Sequence, residues 1–204
     1  MADYKVLITT SGLGSRLGNL TQFTNKGLVR VGDKAVISHI IESYSANTEF
    51  VITLGHFGNH VKQYLRIAYP KYKFKFVTVK NYFGKGSSLL HSISIAKKYL
   101  QCKFIFHACD TLIDKNLINQ INFNNNWIAG YKSKSSQAYR TINTLNNKVL
   151  KLNEKGEENY DYIYIGIAGI KNYNAFWKSL QKNLKTKELT DLSDYLVIKD
   201  MLNK

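Results

Sequence analysis

The chain is poor in the residues that interrupt or cross-link a fold. It holds one proline, Pro70, among 204 residues, and no proline-rich or low-complexity stretch that would serve as a linker. Its two cysteines, Cys102 and Cys109, lie seven apart with no CxxC pair. That excludes a disulfide framework and a cysteine-based zinc site, and leaves both as inert core thiols. No apolar stretch comes near the roughly 18 to 20 residues of a membrane-spanning helix, and the opening MADYKVLITT has no signal-peptide layout. The expected location is the cytoplasm. Acidic residues are scarce too, 14 against 29 basic ones, for a formal charge of +15. Such a charge invites a nucleic-acid reading. The basic residues are mostly lysines scattered singly, however, with only four arginines, and no nucleic-acid partner is expected. A field of that sign would still draw in polyphosphate ligands.

What is plentiful is apolar and aromatic side chain, 44% and 13% of the residues, enough to offset the entropy of ordering one sizeable core. Apolar runs recur at Val6-Leu7-Ile8, Phe50 to Leu54, Phe74 to Val79 and Phe104-Ile105-Phe106. Helix-like patterns fall between them at Ala35 to Tyr44, Gly58 to Ile67 and Ser87 to Leu100. Strands alternating with helical segments of this length predict right-handed βαβ units. After Asp110 come strand-like runs at 127–131, 138–142, 148–152 and 162–170, and helices at 175–184 and 193–202. The expected fold is α/β, a single Rossmann-like domain over residues 1–204 with a mostly parallel mixed sheet flanked by helices.

The first strand empties into Ser11-Gly12-Leu13-Gly14-Ser15-Arg16-Leu17. Two glycines allow a tight turn and bring free N–H groups up to an anion. The turn lacks the GKS or GKT ending of a Walker loop, and Gly18 follows Gly14 by four residues where a dinucleotide fingerprint needs three. Arg16, two residues on, and Lys26, ten further, add a forked guanidinium and a point-charge ammonium, both suited to phosphate. An ordinary strand-to-helix loop is the competing reading. Further on, Phe104-Ile105-Phe106 runs through His107-Ala108-Cys109 into Asp110. A carboxylate at the carboxyl end of a strand stands where open α/β sheets bind ligands, and suits Mg²⁺. A helix cap before Thr111-Leu112-Ile113 is the alternative.

Together, Gly12-Leu13-Gly14-Ser15-Arg16-Leu17, Thr24-Asn25-Lys26-Gly27-Leu28-Val29 and Val31 to Ile37 resemble the ordered signature of the sugar-1-phosphate nucleotidyltransferase family and its phosphocholine cytidylyltransferase relatives. That signature runs GxGxRL, then Pro-Lys-x-Leu, then Lys-Pro-x-Ile. Asn25 and Ala35 stand where it has proline, so looser loops are expected here. Gly84 to Leu90 resembles the family segment that contacts base and ribose, Asp110 its metal-binding aspartate, and Leu150 to Lys155 the segment whose Glu-Lys holds the second substrate. The resemblance extends from about residue 5 to residue 200.

What the resemblance implies is a nucleotidyltransferase that joins a nucleoside triphosphate to a phosphomonoester and releases pyrophosphate, with Mg²⁺ as cofactor. It assigns catalysis to Arg16 and Lys26, nucleotide binding to Thr10, Gly12, Leu13, Gly14, Gly86 and Ser87, the second substrate to Glu154 and Lys155, and the metal to Asp110. CTP or UTP is favoured, with a phosphorylated sugar or a phosphocholine-like amino alcohol as partner, as in relatives that activate groups for surface polysaccharides. A degenerate nucleotide-sensing domain and a basic nucleic-acid-binding domain remain as alternatives. Apart from the family, Ser87 and Ser88 read as helix caps and Glu154-Lys155 as a solvated pair. His56, His60, His91 and His107 show no ligand spacing, and the tyrosines read as packing. The family's second carboxylate follows a helix resembling Thr190 to Leu202 and has no counterpart. The chain therefore reads as the N-terminal part of a longer protein, in preference to Asp194 replacing that ligand; Asp191 or Asp194 would cap the last helix.

Overall fold

A computed structural model of the chain describes residues 3–186 and 192–202. The amino-terminal apolar run forms β1 (Lys5–Thr9), buried from its second residue onward. Two short 3-10 helices, Ser15–Thr21 and Lys26–Leu28, and a ribbon of β2 (Arg30–Val31) against β3 (Lys34–Ala35) lead into α1 (Val36–Ser43). The alternation continues through β4 (Glu49–Leu54), α2 (Gly58–Ala68), β5 (Lys73–Thr78), α3 (Leu89–Ile95) and β6 (Phe104–Ala108). A short α4 (Lys115–Asn119) precedes β7 (Trp127–Tyr131), β8 (Arg140–Leu145), β9 (Lys148–Lys155) and β10 (Tyr162–Ile170). The helices α5 (Tyr173–Thr186) and α6 (Asp194–Leu202) follow.

Apart from the β2–β3 ribbon, these strands form one mixed sheet of an α/β fold. Its heart is β5-β4-β1-β6, parallel at every step. Helical crossovers enforce that direction, because a parallel partner cannot be reached by a tight turn. β10 then runs antiparallel to β6 and also pairs antiparallel with β7 and β8, while β8 and β9 form a hairpin. The turn of that hairpin is Asn146-Asn147, both at positive φ, the backbone shape a two-residue turn needs to match strand twist.

The central strands are apolar at successive positions because both sheet faces are covered. On one face Leu7, Val51 and Phe106 pack with Leu90 and Ile93 of α3, Phe176 and Leu180 of α5, and Val197 and Ile198 of α6. On the other, Val6, Ile8, Phe50, Ile52 and Ile105 pack with Ile37, Ile40 and Ile41 of α1 and Val61 and Leu65 of α2. The helix expected over Ser87 to Leu100 is shorter, α3 followed by a 3-10 turn at Lys97–Tyr99. Ile93 and Ile95 are β-branched, and the Ser94 hydroxyl donates to the His91 carbonyl at 2.7 Å, both of which weaken a helix there. Among the described residues no helix is long and apolar enough to cross a membrane.

Candidate active site

The carboxyl ends of β1 and β6 lie side by side, and the loops that leave them build the site. Beyond β1 come Thr10 and Ser11, both buried. Thr10 donates its hydroxyl to the Thr53 carbonyl at 2.7 Å, and Ser11 bonds Ser92 at 2.8 Å. The base of the glycine turn is thereby fixed to β4 and α3. Gly14 then takes a φ of 71°. A Cβ there would stand 3.0 Å from Thr21 Cγ2 and 3.1 Å from Lys26 Cβ, so both conformation and space select glycine.

Asn25 occupies one of the two positions where proline was missing, and the expected looseness is not found. Its buried side chain donates through Nδ2 to the carbonyls of Thr10 at 2.7 Å and His56 at 2.6 Å, and accepts from the Gly27 N–H at 2.9 Å. Hydrogen bonding to two remote segments, with the local cap at Gly27, restrains the chain where a fixed φ would otherwise do so. At Ala35, the second position, the Val36 N–H donates to the Val29 carbonyl at 3.0 Å and closes the β2–β3 ribbon.

Asn25 in turn presents Lys26, whose Nζ lies 3.3 Å from Asp110 Oδ2. Burial works against the ammonium charge, but the Cys109 sulfur and the Asp110 carboxylate outweigh it and hold the Lys26 pKa above its ordinary value. Burial pushes the Cys109 thiol up to about 11, so at neutral pH the ionic partner is Asp110. Asp110 is not a helix cap. Thr111 N–H donates to the Ala108 carbonyl at 3.2 Å, closing a tight turn around it. The cap of α4 is Asp114, which accepts from the Asn116 N–H at 2.6 Å.

The Asp110 side chain remains 51% exposed. Mg²⁺ keeps several waters and takes one or two carboxylates together with phosphate oxygens, and a single half-open carboxylate suits that donor set. Among the described residues no three His, Cys, Asp or Glu are grouped to hold a metal.

Arg16, Ser87, Asp110 and Lys155 line one cleft of about 840 Å³. Tyr131, Tyr139, Arg140, Tyr164 and Asp194 complete its wall, from β7, the loop before β8, β8, β10 and the start of α6. The Arg140 guanidinium lies 4.0 Å from the centre of the Tyr195 ring and 3.6 Å from Glu154 Oε2. Asp194 is buried and accepts from the Tyr164 hydroxyl at 2.6 Å. Burial pushes its carboxyl above the usual range, against the pull of that hydrogen bond. This half of the cleft therefore offers charge of both signs and aromatic faces, whereas the other half presents the Arg16 guanidinium.

Of the residues singled out from sequence, the fold brings Arg16, Ser87, Asp110 and Lys155 to one cavity. Lys26 joins them through Asp110, and Glu154 joins through Arg140. Gly12, Leu13 and Gly14 form the turn that carries Arg16, and Gly86 precedes Ser87 in the loop before α3. Thr10 is fully buried and its hydroxyl donates to the Thr53 carbonyl, so its side chain anchors the turn and does not line the cleft. Ser88 caps α3 by accepting from the His91 N–H at 3.0 Å, and the Ser87 hydroxyl donates to the Gly84 carbonyl at 2.7 Å. The tyrosines are not all packing, since Tyr131 and Tyr139 stand exposed on the cleft wall. Sequence reasoning missed Arg140. Rarity was the available signal, because two of only four arginines face this cleft. Asp191 lies outside the described residues.

No family model matches the chain. In sequence it is similar to the bifunctional protein GlmU of Campylobacter lari, 27% identical over 165 residues that make up 80% of this chain. It spans 37% of that relative's length and 35% of the GlmU of Methanococcus vannielii, little more than a third of each. In structure it is similar to CTP:phosphocholine cytidylyltransferase from Streptococcus pneumoniae, with a TM-score of 0.78 over 98% of this chain and 86% of that one at 18% identity. A UDP-glucose pyrophosphorylase complexed with UDP-glucose gives a TM-score of 0.80 over 98% and 87% at 17% identity.

Proposed function

The chain has the fold of the nucleotidyltransferase superfamily, and from that premise we propose that it joins a nucleoside triphosphate to a phosphomonoester and releases pyrophosphate. One observation carries this reading: Arg16 and Asp110 share a cavity, and Lys26, from a loop remote in sequence, reaches Asp110 at 3.3 Å. Those residue types in one place suit a reaction in which two anions must meet.

In this reading a phosphomonoester oxygen attacks the α-phosphorus of the triphosphate. The bond from that phosphorus to the bridging oxygen breaks, and pyrophosphate leaves in line. No covalent enzyme intermediate is needed. Backbone N–H groups of the Gly12 to Gly14 turn receive the phosphates, and the Arg16 guanidinium forks onto the departing pyrophosphate. Lys26 leaves Asp110 to neutralise charge on the α-phosphoryl oxygens. Asp110 would hold Mg²⁺, which when bound neutralises triphosphate charge and orients the leaving group. Alignment of the two anions alone lowers such barriers by about 7–11 kcal/mol in favourable cases. The acceptor lies along Tyr131, Arg140 and Lys155, with Glu154 behind Arg140, and CTP or UTP is the favoured donor. Phosphorylated sugars and amino alcohols are the acceptor classes of this reading, and a role in making surface polysaccharide precursors belongs with it.

The test is pyrophosphate release, screened over CTP, UTP, GTP, ATP and dTTP against sugar 1-phosphates and phosphorylated amino alcohols, on this chain and on any longer parent. One triphosphate with one acceptor is expected to turn over only with Mg²⁺ present. Lys26→Ala is expected to lower kcat at least 100-fold, on the order of an electrostatic donor's loss, with the melting point unchanged. Arg16→Ala is expected to raise the triphosphate KM. Triphosphate binding without pyrophosphate release from any acceptor would make the chain a sensor and not a transferase.

A further inference from the structure

His107 has no place in the chemistry above, yet its surroundings are fully specified. It lies on β6 three residues before Asp110 and is wholly buried. Its Nδ1 is 2.8 Å from the Tyr44 hydroxyl at the end of α1, and its Nε2 is 2.9 Å from the Thr111 carbonyl. A carbonyl can only accept, so Nε2 carries the proton and Nδ1 accepts from Tyr44. Burial lowers the imidazole pKa to about 4, so this donor pattern holds at physiological pH. A leucine at this position would fill the same apolar face of the sheet without needing partners. Two aligned hydrogen bonds are what the imidazole adds.

Thr111 extends the chain of donations. Its hydroxyl donates to the Ile165 carbonyl at 2.7 Å and its N–H to the Ala108 carbonyl at 3.2 Å. The residue after Asp110 is therefore held through its N–H, its carbonyl and its hydroxyl together. Ile165 lies where the pairing of β10 with β7 shifts register, next to Gly166 at a φ of 77°. A Cβ on Gly166 would stand 2.9 Å from the Ala108 Cβ, so this irregularity is seated directly on the Asp110 turn. Ile163, Tyr164, Ile165 and Gly166 line the acceptor half of the cleft.

We propose that Tyr44, His107, Thr111 and the Ile165 carbonyl form a positioning relay that sets the Asp110 turn against the β10 wall and so fixes the spacing between the triphosphate and acceptor halves of the cleft. The inference rests on the function proposed above. His107 touches no substrate. It acts through Thr111, and it matters to the rate because displacing a reacting group by about 1 Å can cost on the order of 100-fold.

The experiment compares His107→Leu, His107→Gln and Tyr44→Phe in the full chain. Glutamine can donate to Thr111 and accept from Tyr44, and leucine can do neither. Two readouts are taken: amide hydrogen exchange across 108–111 and 163–166, with β1 and β4 as internal reference, and kcat with both KM values for the substrate pair found in the screen. His107→Leu is expected to speed exchange in both segments about 10-fold relative to β1 and β4 and to lower kcat about 10-fold or more, with the triphosphate KM within about twofold. His107→Gln is expected to recover most of both losses. Tyr44→Phe, which removes one hydroxyl and keeps the ring, is expected to show the same directions at smaller size, and it carries the test if His107→Leu does not fold. The relay is overturned if exchange in the two segments is unchanged, or if glutamine recovers no more than leucine, since a space-filling histidine would give either result. Should no substrate pair turn over in the parent chain, the proposed function fails while the exchange readout still decides the relay.

Discussion

Lys26 and Asp110 meet at 3.3 Å across a separation of 84 residues, and half of the Asp110 side chain remains open to solvent. An ion pair that exposed adds little to stability, and in the function proposed above its value lies in what it holds ready: a cation for phosphate and a hard carboxylate for a metal, in one place. His107, three residues upstream, is the opposite case, a buried group whose neutrality is part of the fold. The Tyr44 hydroxyl bonds it directly, and the charge of Asp110 is too weak an influence to offset its burial. Its pKa falls from the ordinary 6.5 to about 4, so between those values the unfolded chain binds a proton that the native chain refuses. Stability from this group is therefore complete above pH 6.5 and is lost as pH falls toward 4, by about 3 kcal/mol in all. Denaturant midpoints measured from pH 7 to pH 4 check this, with His107→Gln expected to show a shallower decline. Parallel declines in the two proteins would mean that His107 titrates normally.

At the scale of elements, one side chain makes more of the ties that hold residues 10–27 than any other single group does. Asn25 is fully buried and ties Thr10, His56 and Gly27 together. Asn25→Ala would strand two carbonyls and an N–H, at a cost of about 2–4 kcal/mol, and is expected to lower the melting point by roughly 5–12 °C for a chain of this size. Calorimetry checks it, and a shift of under about 2 °C would leave the loop's rigidity unexplained. This element also shows where sequence reading stopped. The strands at 6–8, 50–54, 104–106 and 162–170 and the helices between them were legible because burial on both sheet faces writes unbroken apolar runs. Asp110 and the glycine turn were legible because strand ends and positive-φ turns restrict residue choice. The tie that Asn25 makes was not, because two of its three partners, Thr10 and His56, come from segments that only the folded chain brings together. The same holds for Arg140, whose contacts with Tyr195 and Glu154 cross from β8 to α6 and β9, and for the Tyr44–His107 bond, which spans 63 residues.

For the whole molecule the formal charge of +15 is the property most open to two meanings, and the two make opposite demands on salt and ligand. A nucleic-acid surface gains its affinity by releasing counterions, so the logarithm of its binding constant falls steeply and linearly with the logarithm of salt concentration, for any sequence offered. A triphosphate held by the Gly12 to Gly14 turn, Arg16, Lys26 and a metal at Asp110 involves few charges in a shaped cavity, and depends on which base is attached and on the metal. With that ligand at about 100 times its Kd, native-state binding adds about 2.7 kcal/mol, a rise in melting point of roughly 5–10 °C at this chain length. The expected result is such a rise with one pyrimidine triphosphate plus Mg²⁺, a smaller one without the metal, and a smaller one in Arg16→Ala at the same concentration. Duplex or single-stranded oligonucleotides should give shifts that vanish by about 200 mM salt, the range over which purely electrostatic contacts lose their affinity. A salt-resistant shift with oligonucleotides, together with no discrimination among the five triphosphates, would transfer the meaning of the charge from the cleft to the surface.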